Sequence, residues 1–122
     1  MEISTYLILY ILLIHFLADF ALQTHEQAQN KSHSNIHLHQ HVATYSAVWF
    51  LAVWSWTKSI EMALVFTVVT FFVHYCTDWV TSRISKFYFK QEDYHNGFVV
   101  VGVDQVLHYI QLIFTFKLIE LL

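Results

Sequence analysis

Three His/Asp pairs stand four residues apart: His15–Asp19, His74–Asp78 and Asp104–His108. Each lies in a long apolar run. On an α-helix four residues is just over one turn, so each pair projects from one face. His nitrogen and Asp oxygen suit Zn, Mn, Fe or Ni, and a lone cysteine, Cys76, offers no thiolate-rich alternative. An Asp near the middle of a bilayer helix costs roughly 2.5–3.5 kcal/mol on insertion scales. Three of them, each with a His one turn away, point to a shared buried ligand, most simply a divalent metal with Zn the first choice.

The elements that must position these pairs follow from composition. The 122 residues are 57% hydrophobic, 18% aromatic and only 12% charged, which is too apolar for a soluble domain of this size. There is no Pro, and the only two Gly are Gly97 and Gly102. A net charge of −3 gives no basis for a nucleic-acid partner. The single cysteine excludes an intramolecular disulfide. The N-terminus lacks a basic leader region, and the first apolar run is about a full span long, so it reads as a retained helix. Four membrane helices are expected, at about 3–22, 37–56, 60–83 and 98–118, in one transmembrane domain covering 1–122. The fold class is all-α: an integral membrane four-helix bundle, up-down-up-down. A short turn around Thr57–Ser59 forces a hairpin, while Gln23–Ile36 and Ser85–Gly97 read as polar connections.

That topology makes the pairs converge. His15 and Asp19 fall late in the first helix, His41 early in the second, His74 and Asp78 late in the third, and Asp104 and His108 early in the fourth. In an alternating bundle all seven share one depth on one side. Polar stripes agree: Thr67, Thr70, His74 and Asp78 trace one face, as do Asp104, His108, Gln111 and Thr115. His15-Phe-Leu-Ala-Asp19-Phe20 and His74-Tyr-Cys-Thr-Asp78-Trp79 form a short internal repeat, consistent with two hairpins about a pseudo-two-fold axis.

One tetrahedral Zn takes about four ligands. Seven candidates therefore allow one ion with His–Asp partners behind it, or two ions with bridging carboxylates. A catalytic ion would lower the pKa of bound water and offer it as a nucleophile to an ester or phosphoester, with Asp19 or Asp104 as general base if left unligated. The bland alternative is that the pairs only fix helix packing, each worth about a kcal/mol. The rival functions are a metal or proton conductor, or a small non-enzymatic membrane effector. His33, His37 and His39 read as polar residues at a helix start, and Asn30 with Lys31 as a solvated loop or an anion holder at the site mouth. Arg83–Lys90 reads as an interfacial helix or a basic-aromatic border. Trp54, Trp56 and Trp79 fit an interfacial belt, and Cys76 reads as packing. Basic residues favour cytoplasmic site-side loops in a bacterial inner membrane. A homo-oligomer is compatible with so small a chain.

In these motifs the chain resembles a family of small bacterial and phage membrane proteins of unknown function. The likeness rests on His15-Phe-Leu-Ala-Asp19-Phe-Ala-Leu-Gln23, Asn30-Lys31, His41, His74-x-x-x-Asp78 and Asp104-Gln105-x-x-His108, in that order over nearly the whole chain. A Lys common in that family after the third-helix Asp is replaced here by Thr81 and Arg83 nearby. A more distant similarity, to membrane-bound metal-dependent hydrolases, implies the leading function, hydrolysis of a lipid-linked or phosphorylated substrate.

Overall fold

The computed structural model describes residues 3–122. Five α-helices account for most of them: α1 (Thr5–Phe16), α2 (His25–Asn30), α3 (Asn35–Thr57), α4 (Ile60–Lys90) and α5 (Tyr94–Ile119). A π-helical turn, Leu17–Ala21, continues α1, and no strand occurs among the described residues. Every α-helix begins at a side-chain cap. Ser4, Thr24, Ser34, Ser59 and Asp93 each accept a hydrogen bond from a backbone N–H of the first turn. Such caps satisfy donors that the helix itself leaves unpaired.

Two turns fix the hairpins. Lys58 takes φ 59°, and Lys58 with Ser59 reverses the chain from α3 into α4. Glu92 takes φ 57° in the three-residue turn between α4 and α5. Around the core α3 packs on α4, α4 on α5, and α1 on both α3 and α5. Trp49, Phe66, Leu112 and Phe116 fill the end of this core remote from the His/Asp pairs, with ring centroids 4.8 to 6.2 Å apart among the aromatics.

The helix bounds differ from expectation in three places. The connection Gln23–Ile36 contains α2, stabilised by a reciprocal capping box between Thr24 and Gln27. The third apolar helix runs to Lys90, seven residues beyond Arg83, and α5 begins at Tyr94. So Arg83–Lys90 is no separate interfacial helix, and most of Ser85–Gly97 is helical. No Gly or Pro interrupts Arg83–Lys90, and Phe89 packs edge-on against Phe98 of α5, which extends the hairpin. Beyond Asp78, α4 thus continues for about 18 Å at 1.5 Å per residue. Cys76 is exposed rather than packed, because it lies two residues from both His74 and Asp78 and so points away from their face.

By length and composition α4 and α5 could each cross a membrane, and Thr5–Ala21 is a shorter apolar stretch.

Candidate metal centre

The π turn places the first acidic residue. Leu22 N–H bonds to Leu17 carbonyl at 3.0 Å, a five-residue closure that widens the helix. Ala18 and Asp19 are turned inward while Phe20 stays half exposed. The repeat noted in the sequence is therefore not a repeat of backbone. His15–Asp19 spans the start of a π turn, whereas His74–Asp78 lies in regular α-helix.

Around Asp19 the buried groups converge. His41 Nε2 lies 3.0 Å from Asp19 Oδ1, 3.2 Å from Asp78 Oδ2 and 3.3 Å from His74 Nε2. His74 Nε2 lies 3.4 Å from Asp78 Oδ2 and 3.6 Å from Asp19 Oδ1. Four atoms, two nitrogens and two oxygens, thus form five edges of 3.0 to 3.6 Å. A tetrahedron with metal–ligand bonds of 2.0–2.1 Å has edges of about 3.3–3.4 Å. The four groups come from the π turn, α3 and α4, and all are buried.

Asp19, Asp104 and His108 make a second group of matching reach. His108 Nε2 lies 3.0 Å from Asp78 Oδ1 and 3.1 Å from Asp104 Oδ2. Asp78 therefore turns one oxygen to each group, and Asp19 belongs to both. Thr81 Oγ1 donates to Asp104 Oδ1. The rings of Tyr45, His74 and His108 stack, with centroids 3.8 and 4.2 Å apart. His74 Nδ1 has no hydrogen-bond partner among the described residues, so this stack rather than a carbonyl or carboxylate orients its ring.

A family model described as "Protein of unknown function (DUF3307)" matches residues 7–122. The chain belongs to that family. No curated protein and no solved structure matches it.

In this DUF3307 protein the seven candidate residues of the sequence are all buried. Six of them, Asp19, His41, His74, Asp78, Asp104 and His108, fall into the two groups that could hold a metal ion. His15 stands outside both. Gln105 Nε2 donates to Asp19 Oδ2 at 3.3 Å and to Asp104 Oδ2 at 3.0 Å, which fixes its amide, since ionised carboxylates only accept. Gln105 Oε1 must then accept from His15 Nε2–H at 2.7 Å, and His15 Nδ1 accepts from the Tyr45 hydroxyl at 2.8 Å. Both ring nitrogens are used, so His15 orients Gln105 instead of presenting a lone pair to an ion.

Two contributors, Tyr45 and Gln105, were not named as site residues from the sequence, and Lys31 was placed at the site mouth only as a solvated loop residue or an anion holder. Tyr45 is one turn after His41, and Gln105 adjoins Asp104, so their spacing carried the signal. Lys31 carried less, because its side chain comes from a polar connection. It reaches inward, with Nζ 3.1 Å from Asp78 Oδ2. Burial works against the Lys31 charge, but Asp78 and Asp19 outweigh it and hold the ammonium above the ordinary lysine value. Of the His-rich tract only His41 joins the centre. His37 bonds Ser34, His39 bonds the Asn35 carbonyl, and His33 accepts from Lys86.

Proposed function

We propose that this protein is a four-span integral membrane metalloenzyme that hydrolyses a lipid-linked or phosphorylated substrate at the His/Asp centre. The observation that carries it is the cluster of His41, His74, Asp19 and Asp78, in which five of the six ligand-atom separations are near the edge length of tetrahedral Zn coordination. Without a cation, two carboxylates and two imidazoles crowded at this separation are held by shared protons together with Lys31, Gln105 and His108, and a cation would take all four ligand atoms at once.

Membrane insertion is supported by the outer faces. Leu13 is 68% exposed, Phe72 64% and Phe114 66%, on three different helices. Apolar exposure of this extent is out of place in water and natural in lipid. Buried acids facing inward from such helices follow the usual rule for ionisable groups in membranes. The distribution of basic residues favours placing the centre toward the cytoplasm.

A divalent ion would supply Lewis acidity and a water of lowered pKa. The chain supplies the rest. Asp19 and Asp78 each have a second oxygen that would hold a second ion with His108 and Asp104. With a single ion held by Asp19, Asp78, His41 and His74, Asp104 stays unligated and is the better placed general base, since it lines the adjoining cavity while Thr81 and Gln105 steady its two oxygens. Asp19 serves the ions. Conduction is disfavoured by the packed layer of Trp49, Phe66 and Phe116, which interrupts the polar path beyond Gln111 and Thr115.

Elemental analysis of protein purified without chelators tests the reading. The wild type is expected to carry at least one equivalent of metal, and Asp78→Ala and His74→Ala to lose it. Metal well below one equivalent in the wild type would remove the metal centre. Lipid-phosphate turnover that survives both substitutions would remove these residues from catalysis.

A further inference from the structure

A cavity of about 550 Å³ adjoins the centre. Its volume lies within the usual range for small-molecule sites. Asp19 and Asp104 reach it from the centre, Lys31 and Lys86 line it, and Phe20 and Phe89 give it an apolar side. The overhang of α4 and the segment from α2 to α3 enclose it, and Lys86 Nζ donates to His33 Nδ1 at 2.9 Å across that gap.

Lys31 is the informative member. Its ammonium sits 3.1 Å from Asp78 Oδ2, the same oxygen that stands beside His41 and His74 in the four-atom ligand cluster. An ion bound there and the Lys31 charge would compete for one oxygen at like-charge separation. Released from Asp78, Lys31 remains beside the cavity that it lines. The charge balance then favours an anion: three carboxylates face two lysines and at least one divalent ion. Phosphate monoesters carry close to two negative charges near neutral pH, and lysine binds them as a point charge. On one side the cavity opens past Phe20, which is half exposed and continues into the apolar outer face of α1, a path suited to an apolar tail.

Building on the hydrolase reading, we propose that this cavity binds a phosphate monoester on an apolar tail, its phosphate between Lys31, Lys86 and the ions, its tail leaving past Phe20. Lys31 thereby exchanges Asp78 for the substrate phosphate when the centre is loaded.

Binding is measured on metal-loaded protein whose metal content is determined on the same sample. One arm titrates inorganic phosphate in detergent. The other compares nanodiscs of phosphatidylcholine with nanodiscs of phosphatidylcholine and phosphatidic acid. Lys31→Ala is expected to keep the metal and weaken both phosphate and phosphatidic acid by about tenfold or more, with Lys31→Arg restoring most of it. Phe20→Ser is expected to weaken phosphatidic acid alone. Full metal with unchanged phosphate affinity in Lys31→Ala overturns the proposal and leaves the metal centre standing. Phosphate binding with no gain for phosphatidic acid overturns the apolar tail. A wild type without metal overturns both this inference and the reading beneath it.

Discussion

His41 Nε2 and His74 Nε2 face each other at 3.3 Å, one from α3 and one from α4, with Asp19 and Asp78 oxygens completing the same cluster. A single proton shared between the two imidazoles joins only that pair, whereas a cation takes both nitrogens and the Asp19 and Asp78 oxygens together. Binding energy at such a site is folding energy, because the unfolded chain does not assemble the four ligands. Metal at a hundred times its Kd is expected to add about 2.7 kcal/mol of stability. Thermal melts in detergent should rise with added Zn and fall after chelation, and His41→Ala or His74→Ala should flatten that dependence. A wild-type midpoint indifferent to metal contradicts the assignment.

His15 separates orientation from ligation. Its ring bridges Tyr45 and Gln105, and Gln105 in turn holds Asp19 and Asp104. His15→Phe keeps the volume roughly constant and strands the buried Tyr45 hydroxyl, at a cost of about 1–3 kcal/mol, along with the half-buried Gln105 amide oxygen. The expected result is a less stable protein with the metal equivalents of the wild type, and lower turnover because Asp104 loses its alignment. Loss of metal in step with His74→Ala would instead make His15 a ligand.

The candidate centre was legible because its rule is local. A four-residue spacing fixes a shared helix face, and alternating helices bring those faces to one depth, so Asp19, His41, His74, Asp78, Asp104 and His108 could be grouped from sequence. The π turn at Leu17–Ala21 was not legible, since no Gly or Pro marks it and it arises from packing Ala18 and Asp19 inward. For Lys31 a solvated loop and an anion holder at the site mouth stayed open, because polarity says nothing about which way a connection folds. The length of α4 was underestimated for a related reason: hydropathy falls after Arg83, but helix continues wherever a partner helix receives it, as α5 receives Phe89.

Gly97 makes that reception close. A Cβ there would stand 2.4 to 2.9 Å from three Phe89 ring atoms, whereas Gly102 has open space around it. Gly97→Ala must therefore displace the ring that lines the cavity, at a cost of about 1–3 kcal/mol for overpacking. Gly102→Ala, in helix and unobstructed, should be neutral or stabilising by about 0.5–1 kcal/mol. Melting both variants in one detergent checks the contrast, and adding Phe89→Leu to Gly97→Ala should recover part of the loss. Equal effects at the two glycines would mean that Phe89 does not pack there.

The start of α5 carries a pH signature outside the apolar spans. Asp93 accepts from Asn96 Nδ2 at 2.7 Å and from Asn96 N at 3.2 Å. These bonds hold its carboxyl below the ordinary value of 3.8. The folded protein thus binds this proton less readily than the unfolded chain. The cap contributes fully above pH 3.8 and is lost as pH falls through the lower folded value. Asp93→Ala should accordingly speed amide exchange in the first turn of α5 near neutral pH, and the difference from wild type should fade on acidification. Asp93→Asn keeps a capping oxygen without the charge, so its exchange should follow the wild type at neutral pH without the acid-dependent loss. An Asp93→Ala effect of the same size at acid and neutral pH would show that the carboxylate charge is not what holds this turn.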